Sequence, residues 1–350
     1  MAYLAALFAA RPIARAPSAE HWPIIISDAH DHLLLPAVWP RVEALGLTSE
    51  IPLPVAQVLQ TTAALNLERN QRMLAEAVHI ATLLNNIGIQ PVALKGLAFL
   101  LTGIYADLGS RHLQDLDLLI PAADLPRALE HLQQQGFHPS DADELAVFRH
   151  HAAALQRPSA PQVELHHSVG TRICRRLLPA AEIFRDAQTF SLAGAHFLLP
   201  SATHLASHLV LHAQLLNIYR HTIFPRLRGL YDLQLLTQAM PVDWNQLVER
   251  YVSCGHYLTL ALYLKEAERI LAAPLPFPIK LGPAGKLRWF HRLLLATYPR
   301  LRFADPVYLA SAVFAKRLRM LGEVVSKPQQ WAWFVKAILS PQRYRNLLNV

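Results

Sequence analysis

The sequence predicts an α+β chain in which a small mixed β-sheet core with helices is flanked by N-terminal and C-terminal helical regions. Three observations carry this reading. On both sides of residues 89–200, apolar residues recur at three- and four-residue spacing, the period of a helix face. Between them, short apolar runs such as "IQPVAL", "DLDLLI" and "QVELHHSV" are bounded by Gly, Pro and Ser, as strands are. With 53% hydrophobic and 17% charged residues, the chain can bury a substantial core and does not have the composition of a disordered one. The expected divisions are 1–88, 89–200 and 201–350.

The first helical stretch runs from about Ala37 to Gly88, punctuated by Pro52 and Pro54, with a start near Ser49 or Glu50 and a stop at "NNIG". Ile89 to Leu94 reads as a short buried strand, closed by Lys95-Gly96. "LAFLLTGIYADLG" reads as a helix ending at Gly109, with Tyr105 packing on it. "DLDLLI" is the second strand. "PAADLPRALEHLQQQGF" is a helix with Asp124 as N-cap, Pro126 in the first turn and Gly136 at the end. Further strands are expected near "LAVFRHHAAAL" and at "QVELHHSV". Beyond Ser201 the helical segments are "SATHLASHLVLHAQLL", "RLRGLYDLQLLTQAM", "DWNQLVERYVSCGHYLTLALYLKEAERILAA" and "DPVYLASAVFAKRLRML", with "PLPFPIKLGP" as a linker.

The bulk numbers exclude several classes. The two cysteines, Cys174 and Cys254, stand far apart in no paired motif, which argues against a disulfide scaffold or zinc ribbon and for a reducing, cytoplasmic setting. The eighteen histidines follow no H-E-x-x-H spacing. "MAYLAALFAARPIAR" lacks a basic segment ahead of its apolar run and does not read as a signal peptide. No run of eighteen apolar residues occurs, so no transmembrane segment is expected. The formal charge of +8 favours an anionic partner without naming it.

The chemistry concentrates in "SRHLQDLDLLI". Residues i and i+2 of a strand share a face, so Asp115 and Asp117 present two carboxylates side by side, pinned by Leu116, Leu118 and Leu119. Paired carboxylates repel unless a proton or cation lies between them, and Mg²⁺, a hard ion, prefers oxygen ligands. Glu164 alternates with Val163 and Leu165 and completes a three-carboxylate cluster if its strand lies beside "DLDLLI". Upstream, Gly96 marks a strand-to-helix turn whose N–H groups favour phosphate. Lys95 supplies a point charge there and Arg111 a fork suited to phosphate or carboxylate. The bland alternatives are a capped strand edge, a surface lysine, and an Arg111 paired with Asp115 or Asp117. His166 and His167 read as packed or surface histidines, with the role of His166 open.

The order L-K-G, a tyrosine, an arginine four residues before D-x-D, a helix ending in glycine, and an acid-x-His strand resembles the poorly characterised nucleotidyltransferase family of the DNA polymerase β-like superfamily. The likeness runs from about Trp39 to Met240. It implies a nucleotidyltransferase core in which Asp115, Asp117 and Glu164 hold Mg²⁺. It makes Gly96 the phosphate-turn glycine and gives Lys95 and Arg111 phosphate or structural contacts. Arg228 and Asp232, on a basic helix, would wall the cleft. The implied substrate is an NTP, with ATP expected, and the acceptor is a small molecule, peptide, protein or RNA. Two departures stand out: Leu97 follows Gly96 where the superfamily has serine, and Glu164 replaces a frequent aspartate. The Gly109-Ser110 pair lies too close to Asp115 to be the phosphate turn and reads as an ordinary turn. The alternative to an enzyme is a catalytically inactive nucleotide-binding or interaction module on the same fold. A general nucleic-acid binder rests on charge alone, and no aromatic-basic motif supports it.

Overall fold

A computed structural model gives the fold and describes residues 1–297 apart from 12, 140–153, 159, 217–226 and 275. Most of "LAVFRHHAAAL", together with Arg226, "DPVYLASAVFAKRLRML" and "SPQRYRNLL", lies outside the described residues.

Four helices lead to the sheet: α1 (Ala2–Phe8), α2 (Trp22–Asp31), α3 (Leu35–Ala44) and α4 (Leu53–Asn86). Prolines occupy the first turns of α2, α3 and α4, where a missing N–H costs nothing. Helix α4 ends at Asn86 because Gly88 takes a left-handed conformation (φ 77°). Its apolar face, including Leu59, Met73, Ala77, Ile80 and Leu84, is buried.

The sheet comprises β1 (Val92–Ala93), β2 (Leu116–Leu119), β3 (His138–Pro139), β4 (Leu155–Gln156), β5 (Val163–His166), β6 (Gln188–Leu192) and β7 (Ala195–Leu199). Their order is β3-β4-β5-β2-β1-β7-β6. It is mixed, as expected: β2/β5 and β1/β7 are parallel and the other neighbours antiparallel. The β2/β5 register places Asp117 opposite Glu164 and Leu119 opposite His166.

Between the strands lie α5 (Lys95–Leu101), α6 (Leu125–Gln134), α7 (Arg172–Leu177) and α8 (Ala180–Asp186). After the sheet come α9 (Ala202–Leu211), a wider π-type turn over His212–Leu216, α10 (Leu227–Ala239), α11 (Trp244–Ser253), α12 (Tyr257–Leu271) and α13 (Pro283–Thr297).

Several elements differ from expectation. Helix α5 stops at Leu101, not Gly109, since Gly103 turns left-handed (φ 68°) and a short 3₁₀ turn forms at Leu108–Ser110. Asp124 sits at the N-cap of α6 without capping it, because its carboxylate accepts from Arg127 instead (2.8 Å). The long stretch from Trp244 is two helices, α11 and α12, broken where Gly255 takes φ 74°. The β6–β7 hairpin was not expected. Its two-residue turn, Ala193-Gly194, has positive φ at both positions, the geometry that matches strand twist.

One continuous apolar core runs through all of this, from Leu4, Leu7 and Phe8 of α1 to Leu260 and Leu271 of α12. Among the described residues no helix is long and apolar enough to cross a membrane.

Candidate active site

The site is built on the C-terminal end of β1 and on β2 and β5. Strand β2 is buried on both faces, and Asp117 within it is 2% exposed. A buried carboxylate requires compensation, since desolvation alone costs several kcal/mol (~2–7 for a polar group left unpaired). Two groups supply it. Lys95 Nζ lies 2.5 Å from Asp117 Oδ1, and His166 Nε2 lies 2.7 Å from the same oxygen. Both also approach Glu164 Oε2, at 3.7 Å and 3.5 Å. Burial opposes ionisation of Asp117, but the charges and hydrogen bonds of Lys95 and His166 prevail and hold it well below the usual carboxylate range. Burial likewise works against the charge on Lys95, and Asp117 outweighs it, so Lys95 is held above its ordinary value. His166 is raised as well: burial opposes its protonation and the hydrogen bonds to Asp117 and Glu164 outweigh that.

The structure thus brings Asp117, Glu164 and His166 together, with one ligand atom from each within 4.8 Å of the others. Sequence reasoning had placed Asp115 in that position and left His166 open. The signal for His166 was present: it stands two residues after Glu164 on one strand, and therefore on the same face. Asp115 lies just before β2, partly buried on the cleft wall. Burial first, and then the charge of Asp117, raise its pKa to about 6. Three acids therefore lie near the Lys95 ammonium and the His166 imidazole, and Arg69 and Arg111 also act on Asp115. The clustered donors of Asp117, Glu164 and His166 fit a divalent cation, with Asp115 near them on the cleft wall.

Lys95-Gly96 lies at the strand-to-helix turn between β1 and α5, and Lys95 there takes a left-handed conformation (φ 48°). Such a conformation is costly for a side-chain-bearing residue and persists where surrounding structure enforces it. Gly96 is needed for space: a Cβ there would lie 3.2 Å from Arg111 Nη1 and 3.2 Å from Leu113 Cγ.

Arg111 pairs with neither Asp115 nor Asp117. Its Nε and Nη2 donate to the two oxygens of Asp232 (2.8 and 2.9 Å), and its Nη1 donates to the His112 carbonyl (2.7 Å). Tyr105 OH completes the group, donating to Asp232 Oδ1 (2.6 Å). With most of its donors committed, Arg111 has structural contacts. The guanidinium also lies over the Phe99 ring, 5.9 Å from its centroid. Arg228, one turn before Asp232 on α10, donates to the same His112 carbonyl (3.2 Å).

Asp115, Asp117, Lys95, Gly96 and Arg111 line a cleft of about 230 Å³. Its lining also includes His208 and His212 from α9 and the π-type turn, and Arg228 and Asp232 from α10. Burial, and secondarily the charge of Lys95, lower His208 to about 3 and His212 well below its ordinary value. The two imidazoles are neutral near pH 7. His112 is lowered to about 4 by burial and by Arg69. The sequence showed this His208/His212 pair only as part of a helical stretch, although a spacing of four places both on one face.

No curated protein matches the chain. A model of an uncharacterised nucleotidyltransferase family matches residues 18–272, and with most of its length covered the chain belongs to that uncharacterised family of nucleotidyltransferases.

Proposed function

We propose that the protein is a Mg²⁺-dependent nucleotidyltransferase that moves the NMP group of an NTP, ATP in the first instance, onto an acceptor hydroxyl, phosphate or amine. The observation that carries this reading is the β2/β5 register. It sets Asp117 against Glu164, and Asp117 lines a cleft together with Asp115, Lys95 and Arg228.

Asp117 and Glu164, with Asp115, would hold the metal. When bound, the metal neutralises charge on the triphosphate and lowers the pKa of an attacking hydroxyl. The remaining work falls to the chain's own groups. Lys95 and Arg228 attract and orient the phosphates, while Arg111, tied to Asp232, keeps the wall rigid. Glu164 orients the acceptor O–H and takes its proton as the new O–P bond forms at the α-phosphorus. The Pα–O–Pβ bond breaks and pyrophosphate leaves. Catalysis of this kind is positioning plus charge stabilisation. The neutral His208 and His212 offer donors and acceptors to the base, the sugar or the acceptor. Both cysteines are free, in keeping with a reducing, cytoplasmic setting.

A second reading, a nucleotide-binding module without turnover, is favoured by Leu97. It is buried where the superfamily places a phosphate-binding serine hydroxyl. Calorimetry with ATP, GTP, CTP and UTP, with and without Mg²⁺, on wild type and Asp117→Asn, tests both. The enzyme and module readings each expect binding that needs metal and Asp117. Release of labelled pyrophosphate from the bound nucleotide in the presence of candidate acceptors then separates them. Absence of binding to all four nucleotides would remove both.

A further inference from the structure

We propose that Lys95 is a resident counter-cation: its ammonium holds the place of a divalent cation between Asp117 and Glu164, so metal enters together with the triphosphate and not ahead of it. The inference rests on the metal–nucleotide reading of this site and adds an order of events to it.

The geometry carries it. Lys95 Nζ contacts Asp117 Oδ1 at 2.5 Å and approaches Glu164 Oε2 at 3.7 Å. These residues supply two of the three ligand atoms that lie together in the carboxylate–histidine cluster. The lysine reaches them from a left-handed backbone that a lysine does not adopt freely (φ 48°), so the fold enforces the contact. Asp117 is almost fully enclosed, and Lys95 is the fixed charge that, together with the His166 hydrogen bond (2.7 Å), compensates it.

The charges around the cleft decide what can remove Lys95. A lone divalent ion must push the ammonium off Asp117 into a cleft that also holds Arg111 and Arg228. The other described carboxylates on its lining are Asp115, itself a candidate ligand, and Asp232, already bonded to Arg111 and Tyr105. Displacement by metal alone thus trades one buried ion pair for an ammonium among like charges. A metal–triphosphate complex carries net negative charge and brings phosphate oxygens that accept the ammonium. Metal and nucleotide then bind with positive coupling, and by linkage each raises the affinity of the other by the same factor.

Mn²⁺ serves as the probe, with free ion counted by electron paramagnetic resonance, alone and with the non-transferable analogue α,β-methylene-ATP. Wild type should bind Mn²⁺ alone weakly and at least tenfold more tightly with the analogue. Lys95→Met should bind Mn²⁺ alone at least tenfold more tightly than wild type, and most of the enhancement by the analogue should disappear. Thermal unfolding provides a second readout. Lys95→Met should lose stability without Mn²⁺ and regain it with Mn²⁺, whereas wild type should respond little to Mn²⁺ alone. Lys95→Gln, which keeps a donor for Asp117 but loses the charge, replaces the methionine variant if that protein does not fold. Free Mn²⁺ binding no tighter in the Lys95 variants than in wild type overturns the proposal. If wild type still shows Asp117-dependent binding of Mn²⁺ with the analogue, the metal–nucleotide reading survives that result. No Mn²⁺ binding in any of the proteins, with or without the analogue, removes both.

Discussion

Asp115 carries a charge that the fold tolerates poorly. An acid raised from its ordinary 3.8 to about 6 binds its proton more tightly folded than unfolded. Its protonated form therefore contributes stability that is fully present below about pH 3.8 and lost as pH rises through about 6. At pH 7 the metal-free protein carries the whole penalty, up to ~3 kcal/mol and less where solvent screens this partly buried group. Asp115→Asn should thus stabilise the metal-free protein at pH 7 and lose that advantage near pH 4. Urea unfolding of both proteins across this range checks it. Saturating Mg²⁺ with nucleotide should reverse the ranking, because a bound divalent ion turns the repulsion into attraction. A variant no more stable than wild type at pH 7 would show that the carboxylate is already compensated. Asp117 and Glu164 were legible in the sequence as acids alternating with apolar residues along two strands, whereas Asp115, read by the same spacing, stands just before β2. The partner of Asp117 was not legible: the reach of Lys95 follows from a backbone dihedral that no residue pattern around "LKG" announces.

Among the elements, α4 does more than supply an apolar face. Two buried amides on it, Asn66 and Asn70, hold the turn that leads into the D-x-D strand. Asn70 Nδ2 donates to the carbonyls of Leu108 (2.6 Å) and Arg111 (2.7 Å). Asn66 Nδ2 donates to that of Gly109 (2.5 Å). Gly109 permits the approach, since a Cβ there would meet the Ala63 carbonyl oxygen at 2.9 Å. Asn70→Ala strands buried carbonyls and should destabilise by about 1–3 kcal/mol. Thr61→Ala, on the exposed side of the same helix, should change stability by less than ~0.5 kcal/mol. Denaturant midpoints of the two variants make the comparison, and similar values would mean the amides are dispensable. Helix α4 was legible because its apolar period is long, and α6 because Pro126 and Gly136 bracket it. The β6–β7 hairpin was missed because Ala-Gly is a weak turn signal beside Asn-Gly or Asp-Gly. The early end of α5 was missed because Gly103 is a single residue inside an apolar run.

At the scale of the whole molecule, the site depends on contacts between distant parts of the chain. Gln234 on α10 donates to the Phe8 carbonyl (3.2 Å), and Ala10 donates its N–H to the Leu271 carbonyl (2.7 Å), so the N-terminal segment is tied to α10 and to the end of α12. A further such tie is Arg111–Asp232. It joins α10 to the segment just before Asp115, across 121 residues, with both side chains nearly inaccessible. The sequence showed an arginine four residues before D-x-D and an acid on a later helix, but nothing in either pattern said that they meet. A buried ion pair of this kind adds little net stability over a well-packed apolar pair, yet losing one member is costly because the other stays charged and enclosed. Asp232→Ala should therefore destabilise by about 3–5 kcal/mol, whereas Arg111→Met with Asp232→Leu should recover most of that loss. Urea unfolding of wild type, the single variant and the double variant measures both quantities. The double variant also separates structure from chemistry. If Arg111 acts only by bracing the wall, the refolded double variant should retain metal-dependent nucleotide binding close to wild type. A folded double variant that has lost such binding would instead give the Arg111 guanidinium a direct part in holding the phosphates.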